Sequence, residues 1–272
     1  MMRARDRRRD TSSAAQGVGC SSSSELRVIP IPLDEEIKPG DSLAEKLLHA
    51  LRRRSIAFGP GDILIVKHKI VSKSEGRIVD LTNVKPSKAS MAWAKKYKLD
   101  ARVIELALRE SRAVIRQKNG VLITETRHGF ICANSGVDVS NVDGGGHALL
   151  LPADPDDSAR RLRREIRKRT GINVAVLVTD TSGRPWREGL VDFCIGIAGM
   201  KAMRDDRGRR DPHGYALQAS IEAVADELAC AAALVCGKLN RTPACIVRGF
   251  AYQCARGRVH DLLRPARADL FR

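Results

Sequence analysis

Aromatic residues are scarce in this chain, and so is negative charge. Phe, Trp and Tyr make up 4% of the 272 residues, and none is interleaved with the arginine runs, so a single-strand stacking surface has little to be built from. Long apolar runs are missing too. The longest small-residue stretch, LACAAALVCG (228–237), is about half the length that a bilayer span requires. The basic N-terminus has no apolar segment behind it, which argues against a secretory signal. The seven cysteines are odd in number and include no CxxC pair, a pattern of reduced cytoplasmic thiols rather than of a zinc site or a disulfide framework. The simplest signatures of a P-loop (GxxxxGK followed by Ser or Thr), a dinucleotide fold (GxGxxG), a zinc protease (HExxH) and a serine hydrolase (GxSxG) are all absent.

What is present is a positive excess: 48 Lys and Arg against 32 Asp and Glu, a formal net charge of +16. Such a charge favours anionic partners, whether nucleic acid, an anionic membrane surface or phosphorylated small molecules. It is unevenly spread. Part lies in RARDRRR near the start and part in RRLRREIRKR (160–169), where Leu162 and Ile166 share one helical face and the cations occupy the other, solvated one. Residues 1–25 hold almost no large apolar side chain and are expected to form a disordered, basic and Ser-rich tail. Hydrophobic residues still make up 43% of the chain, enough for a sizeable core in the remainder.

That remainder reads as a mixed α and β domain without a regular βαβ rhythm. LRVIPI opens it as a short strand. Residues 41–53 suit a helix with Asp41 or Ser42 as cap and Glu45 at the capping-box spacing. GDILIVK is a strand expected to run into a polar, lysine-rich loop. Two helices lie within 86–112, and strands near 121–125 and 130–133 precede a polar turn, NSGVDVSN. A helix over 157–169 leads to a strand over 173–179. LVDFCIGIAG (190–199) is another strand, 221–237 a helix ended by Gly237, and ACIVRGF (244–250) a late strand.

Polar residues collect at the ends of these apolar runs. NVAVLV is followed by TDTSGRPWREG, so Asp180, Thr181 and Ser182 stand where sheet proteins bind ligands, although the same residue types also form turns. Lys67, His68, Lys69, Ser72 and Lys73 follow one strand. Asn134, Ser135, Asp138, Ser140 and Asn141 follow another, and Gly237 with Lys238 ends a helix. Carboxylates and hydroxyls suit hard cations and lysines suit phosphate, a combination fit for phosphoryl transfer. The alternative is that Asp138 and Asp180, 42 positions apart, are unrelated turn residues.

Taken in order, VSKSEGR (71–77), ANSGVDVSNV (133–142), LLPADPD (150–156), VTDTSGRPWREG (178–189), RDPHG (210–214), ADELA (225–229) and GKLNRTPACIVRGF (237–250) resemble the coenzyme F420-0:γ-glutamyl ligase family. The likeness covers about residues 26–252 and is to a stand-alone, bacterial-type ligase module, with 253–272 left over as a short C-terminal extension. It implies a two-lobed mixed α/β (α+β) fold and an intertwined homodimer. It also implies a cytoplasmic enzyme that joins L-glutamate to coenzyme F420-0, and then adds further γ-linked glutamates, through an acyl phosphate made from GTP.

The resemblance further implies two divalent cations, Mg2+ or Mn2+, held by Asp138, Asp180 and Thr181, and a catalytic set of Asp138, Asp180 and Lys73. Nucleotide contacts carry over to Asp34, Glu35, Glu36, Ile37, Lys73, Asn141, Gly237 and Lys238. His68 and Lys69 stand at nucleotide-contact positions where archaeal members carry small hydroxyl residues. Two rival readings remain: a ligase of the same fold acting on a different anionic carboxylate, and a basic nucleic-acid-binding protein.

Overall fold

The computed structural model describes residues 25–140 and 142–271. The expected tail, but for Glu25, and the nucleotide candidate Asn141 thus lie outside the described residues. In chain order the first elements are Arg27–Ile31 (β1), Leu43–Arg53 (α1), Ile63–Lys67 (β2), His68–Ser74 (α2), Ile78–Asp80 (β3), Lys88–Tyr97 (α3), Ala101–Glu110 (α4), Ser111–Lys118 (β4), Val121–Thr126 (β5) and Ile131–Ala133 (β6). They are followed by His147–Leu149 (β7), Pro155–Thr170 (α5), Ala175–Arg184 (β8), Arg187–Ala198 (β9), Arg204–Asp205 (β10), Ile221–Glu222 (β11), Val224–Cys236 (α6) and Ala244–Arg248 (β12).

The central sheet has the order β1-β12-β2-β8-β9, with β2 and β8 parallel and the other neighbours antiparallel. Its inner strands are β-branched and apolar without interruption because both faces are covered. Leu64, Val66, Val176, Val178, Ala244 and Ile246 enter one core with residues of α1 and α5. The alternate residues Ile63, Ile65, Ala175, Leu177, Cys245 and Val247 enter the other, with Val224, Leu228 and Ala232 of α6. A third, smaller cluster joins Ile104, Leu106 and Ala107 of α4 to Leu122 of β5 and Ala148 of β7. The architecture is therefore mixed α and β, as expected.

Helix ends follow their local chemistry. The Ser42 hydroxyl accepts from the Glu45 amide at 3.3 Å and Asp154 accepts from Asp157 at 2.8 Å, each satisfying a free first-turn donor. In α5, Ala159, Leu162 and Ile166 are buried, while Arg164, Arg167 and Lys168 face outward, so the basic run is the solvated face of an amphipathic helix. None of the described helices is long and apolar enough to cross a membrane.

Three expectations need correction. The lysine-rich segment after β2 is not a loop: it enters α2 directly, because Ile70 and Val71 are drawn into the first core and the flanking Lys69 and Lys73 tolerate helical backbone. The TDTSG segment is not a turn beyond a strand, since β8 runs on to Arg184 by pairing with β9. Residues 111 and 112, placed by the sequence within the helical stretch, and the unassigned 113–118 form β4, an edge strand whose outward side chains dilute the apolar alternation.

Gly196 of β9 is held by packing. A Cβ built there would lie 2.4 Å from the carbonyl oxygen of Pro155, where α5 begins. Gly196→Ala is expected to destabilise the fold by about 2–3 kcal/mol through overpacking, read as a lower urea midpoint. An unchanged midpoint would show that this helix–strand contact can relax.

Candidate active site

The carboxyl ends of the parallel neighbours β2 and β8 gather the polar residues. Lys67, the last residue of β2, lies in register with Thr179 of β8. The chain then turns into α2 without a loop, and three successive side chains reach three different aspartates. Lys67 forms an ion pair with Asp192 of β9, whose side chain is 3% exposed. His68 is buried, with Nε2 3.2 Å from Asp180 Oδ1 and Nδ1 3.4 Å from Ser72 Oγ. Lys69 Nζ lies 2.6 Å from Asp138 Oδ2 and donates to Ser140 Oγ at 2.7 Å. Asp138 and Asp180 thus converge on one helix start instead of occupying unrelated turns.

Neighbouring residues of β8 point to opposite faces. Asp180 turns toward α2. Thr181 turns toward α6 and stands directly across from Asp192, donating its hydroxyl to Asp192 Oδ1 at 2.7 Å. The Thr181 amide donates to Asp180 Oδ1, also at 2.7 Å.

A row of carboxylates borders this centre. Lys73, one turn along α2 from Lys69, donates to Glu36 at 2.7 Å, Lys46 donates to Glu35 at 2.5 Å, and Arg53 donates to Asp34 at 2.7 Å. Asp34, Glu35 and Ile37 line a cavity of about 300 Å3 together with Lys46, His49 and Arg53 of α1. The loop after α6 lies alongside: the Leu33 amide donates to Arg241 O at 3.0 Å and the Lys67 amide to Pro243 O at 2.8 Å. Gly237 closes α6 with φ 59°, and Lys238 beside it is exposed. The candidates at 34–37, 67–73, 138, 180–181 and 237–238 therefore share one end of the central sheet.

Electrostatics follow from these contacts. Burial opposes ionisation of Asp138, but the Lys69 hydrogen bond and charge and the Ser140 amide outweigh it and hold the carboxyl below its usual range. Glu36 is lowered by its hydrogen bond to Lys73 and by that ammonium's charge. Burial, reinforced by the negative charge of Asp180, pushes the Cys132 thiol up to about 12, which removes it as a nucleophile near neutral pH.

Among the described residues, no three His, Cys, Asp or Glu side chains form a closed metal cage. The nearby donors are oxygens of Asp138, Asp180 and Thr181. Such a set fits a hard cation that completes its shell with phosphate and water, and it does not fit a thiophilic metal. Sequence reading placed Lys67 among the polar clusters but missed its partner. Asp192 carried one signal, a lone carboxylate inside the apolar strand LVDFCIGIAG.

The family model described as F420-0:Gamma-glutamyl ligase matches residues 33–249, and the chain belongs to that family. It is 41% identical to the coenzyme F420:L-glutamate ligase of Methanopyrus kandleri over 252 residues, covering 91% of this chain and 98% of that protein. The ligase of the same name from Methanothermobacter thermautotrophicus is 43% identical over 236 residues, covering 86% and 93%, and that of Archaeoglobus fulgidus 39% over 248 residues, covering 91% and 96%.

Lys69 provides a direct test of the electrostatics. Asp138, with its depressed pKa, adds stability that is present above the unfolded carboxylate value of about 3.9 and is lost as pH falls through the lower folded value. In Lys69→Met the carboxyl should titrate higher, because burial is then less opposed. A carboxyl NMR titration that finds the Asp138 pKa unchanged in that variant would refute the assignment.

Proposed function

We propose that the chain ligates L-glutamate to the carboxylate of coenzyme F420-0 with GTP as cosubstrate, releasing GDP and phosphate, and that it extends the product with further γ-linked glutamates. The observation that carries this reading is the pairing of consecutive residues His68 and Lys69 with Asp180 and Asp138. It supports a single centre with two carboxylates and several cations, on a chain whose relatives are named for this ligation.

In the proposed reaction a carboxylate oxygen of the acceptor attacks the γ-phosphorus of GTP, and GDP leaves. The glutamate amine then attacks the acyl carbon of the mixed anhydride, loses a proton, and expels phosphate as the amide forms. Asp138, Asp180 and Thr181 would hold two divalent cations, Mg2+ or Mn2+, which when bound supply neutralisation of charge on the phosphate oxygens. Lys73 would exchange Glu36 for a nucleotide phosphate, a charge-assisted hydrogen bond of the stronger kind. The cavity beside Asp34, Glu35 and Ile37 would seat the base and ribose. His68, Lys69, Asn141, Gly237 and Lys238 would complete the nucleotide's surroundings.

The test is a mass spectrum of F420-0 incubated with the protein, L-glutamate, GTP and Mn2+. A GTP-dependent gain of one or more glutamyl units is expected, with none when GTP is omitted. No gain, with GTP still bound, would point to a different carboxylate acceptor. Asp138→Ala and Asp180→Ala should each lower turnover by about a hundredfold or more, the scale of losing cation stabilisation in the transition state. Lys73→Ala should raise the KM for GTP about tenfold while moving that for glutamate little. Full activity in both aspartate variants would remove the metal assignment.

We also infer the two-lobed, intertwined homodimer of the family. The hairpin joining β8 and β9 carries Trp186, 83% exposed, and Leu190, 61% exposed, an apolar surface suited to a second copy. Light scattering should return twice the chain mass, and a monomer mass under conditions of full activity would reject it.

A further inference from the structure

Asp192 has no role in the reading above, although both of its side-chain oxygens are committed. Oδ2 takes the Lys67 ammonium and Oδ1 accepts from Thr181 Oγ1, at a site where the carboxylate is 3% exposed. A carboxylate so deeply placed is costly unless each oxygen is paired, so the arrangement is tightly determined. Nor is its Oδ1 contested. Thr179 lies on the same face of β8, two residues before Thr181, and its fully buried Oγ1 makes no hydrogen bond among the described residues.

The consequence falls on Thr181. A hydroxyl has one proton and two lone pairs. With the proton given to Asp192, Oγ1 can serve other groups only as an acceptor, with its lone pairs turned from β9. A neutral hydroxyl binds a hard cation through those lone pairs, and a proton pointing the other way would repel it. We propose that Asp192 is a positioning residue: it sets the direction of the Thr181 hydroxyl for a divalent cation, and Lys67 fixes which carboxylate oxygen does so. This rests on the reading of Thr181 as a cation ligand.

Two double variants isolate the hydrogen bond from the charge. Lys67→Met with Asp192→Asn, and Lys67→Met with Asp192→Leu, both replace the ion pair by a neutral pair, the leucine having the branched shape of asparagine but a larger volume. Chemically they differ in one respect: Asn retains an oxygen to accept from Thr181, and Leu does not. The probe is Mn2+ titrated in the presence of GDP, with free Mn2+ followed by electron paramagnetic resonance.

The Met–Asn variant is expected to bind Mn2+ within about threefold of wild type, and the Met–Leu variant about tenfold more weakly, the scale for loss of an orienting outer partner. Equal affinities in the two, with Asp180→Ala still losing Mn2+, would overturn this inference and leave the cation reading standing. Wild-type protein that takes up no Mn2+ would overturn both. Should the Met–Leu variant fail to fold, Lys67→Met with Asp192→Ala keeps the pair neutral and removes the acceptor, and affinity should again fall about tenfold relative to the Met–Asn variant. Mn2+ affinity equal to that of the Met–Asn variant would overturn the proposal.

Discussion

Lys67 ends β2 and caps α2 at once, and with no loop between strand and helix the directions of Lys67, His68 and Lys69 are set by the backbone. Each of the three meets an aspartate from a distant part of the chain: Asp192 of β9, Asp180 of β8 and Asp138 beyond β6. The junction is in turn held by the sheet. β2 is flanked by β8 on one side and β12 on the other, and its own residues 63–66 are buried against cores on both faces. A loop at this place would leave the same side chains to find their partners at the entropic cost of ordering each residue. The short path from strand to helix removes most of that cost from the site.

Charge in the site is locally balanced, which changes the meaning of the overall excess. Lys67, Lys69 and Lys73 are matched by Asp192, Asp138 and Glu36, with Asp180 beside His68. The formal charge of +16 therefore does not reside in this cluster. Much of it lies on the outer face of α5, among exposed arginines and lysines, and in the sequence before residue 25. Long-range attraction of anionic ligands is a property of the whole surface. Any anion entering the cluster would have to compete with a resident carboxylate for each lysine.

The central strands were legible because continuous β-branched runs have one good explanation, a sheet covered on both faces. The capped helices were legible because Ser42 and Gly237 are standard punctuation. The α2 segment was not, since KHKIVSKS contains only two large apolar residues, and their helical placement depends on a core built elsewhere. Clustering at strand ends brought Asp138, Asp180 and Thr181 into view and family likeness implied their role, whereas Asp192 escaped both and escaped counting as well. Arg184 opposes Arg187, and extending that register from the Pro185–Trp186 turn puts Leu190 across from Thr181. The irregularity between Ser182 and Arg184 shifts the pairing and brings Asp192 there instead. A β-bulge of this kind re-aims a side chain without leaving a plain mark in the sequence.

Burial along β8 explains why the candidate site occupies the end of the strand and not its middle. Within 175–178 each side chain is sealed in a core, and a carboxylate there would have no cation to meet. At 180 and 181 the strand has passed the last fully buried layer, so consecutive residues still face opposite sides, yet each side now offers a charged or polar partner. His68 at the start of α2 serves Asp180 on one face, and the Lys67–Asp192 pair serves Thr181 on the other. The alternation that fills two cores further back thus gives Asp180 and Thr181 different supports on opposite faces of one strand end. Moving either residue by one position would exchange their faces and separate each donor from the group that holds it.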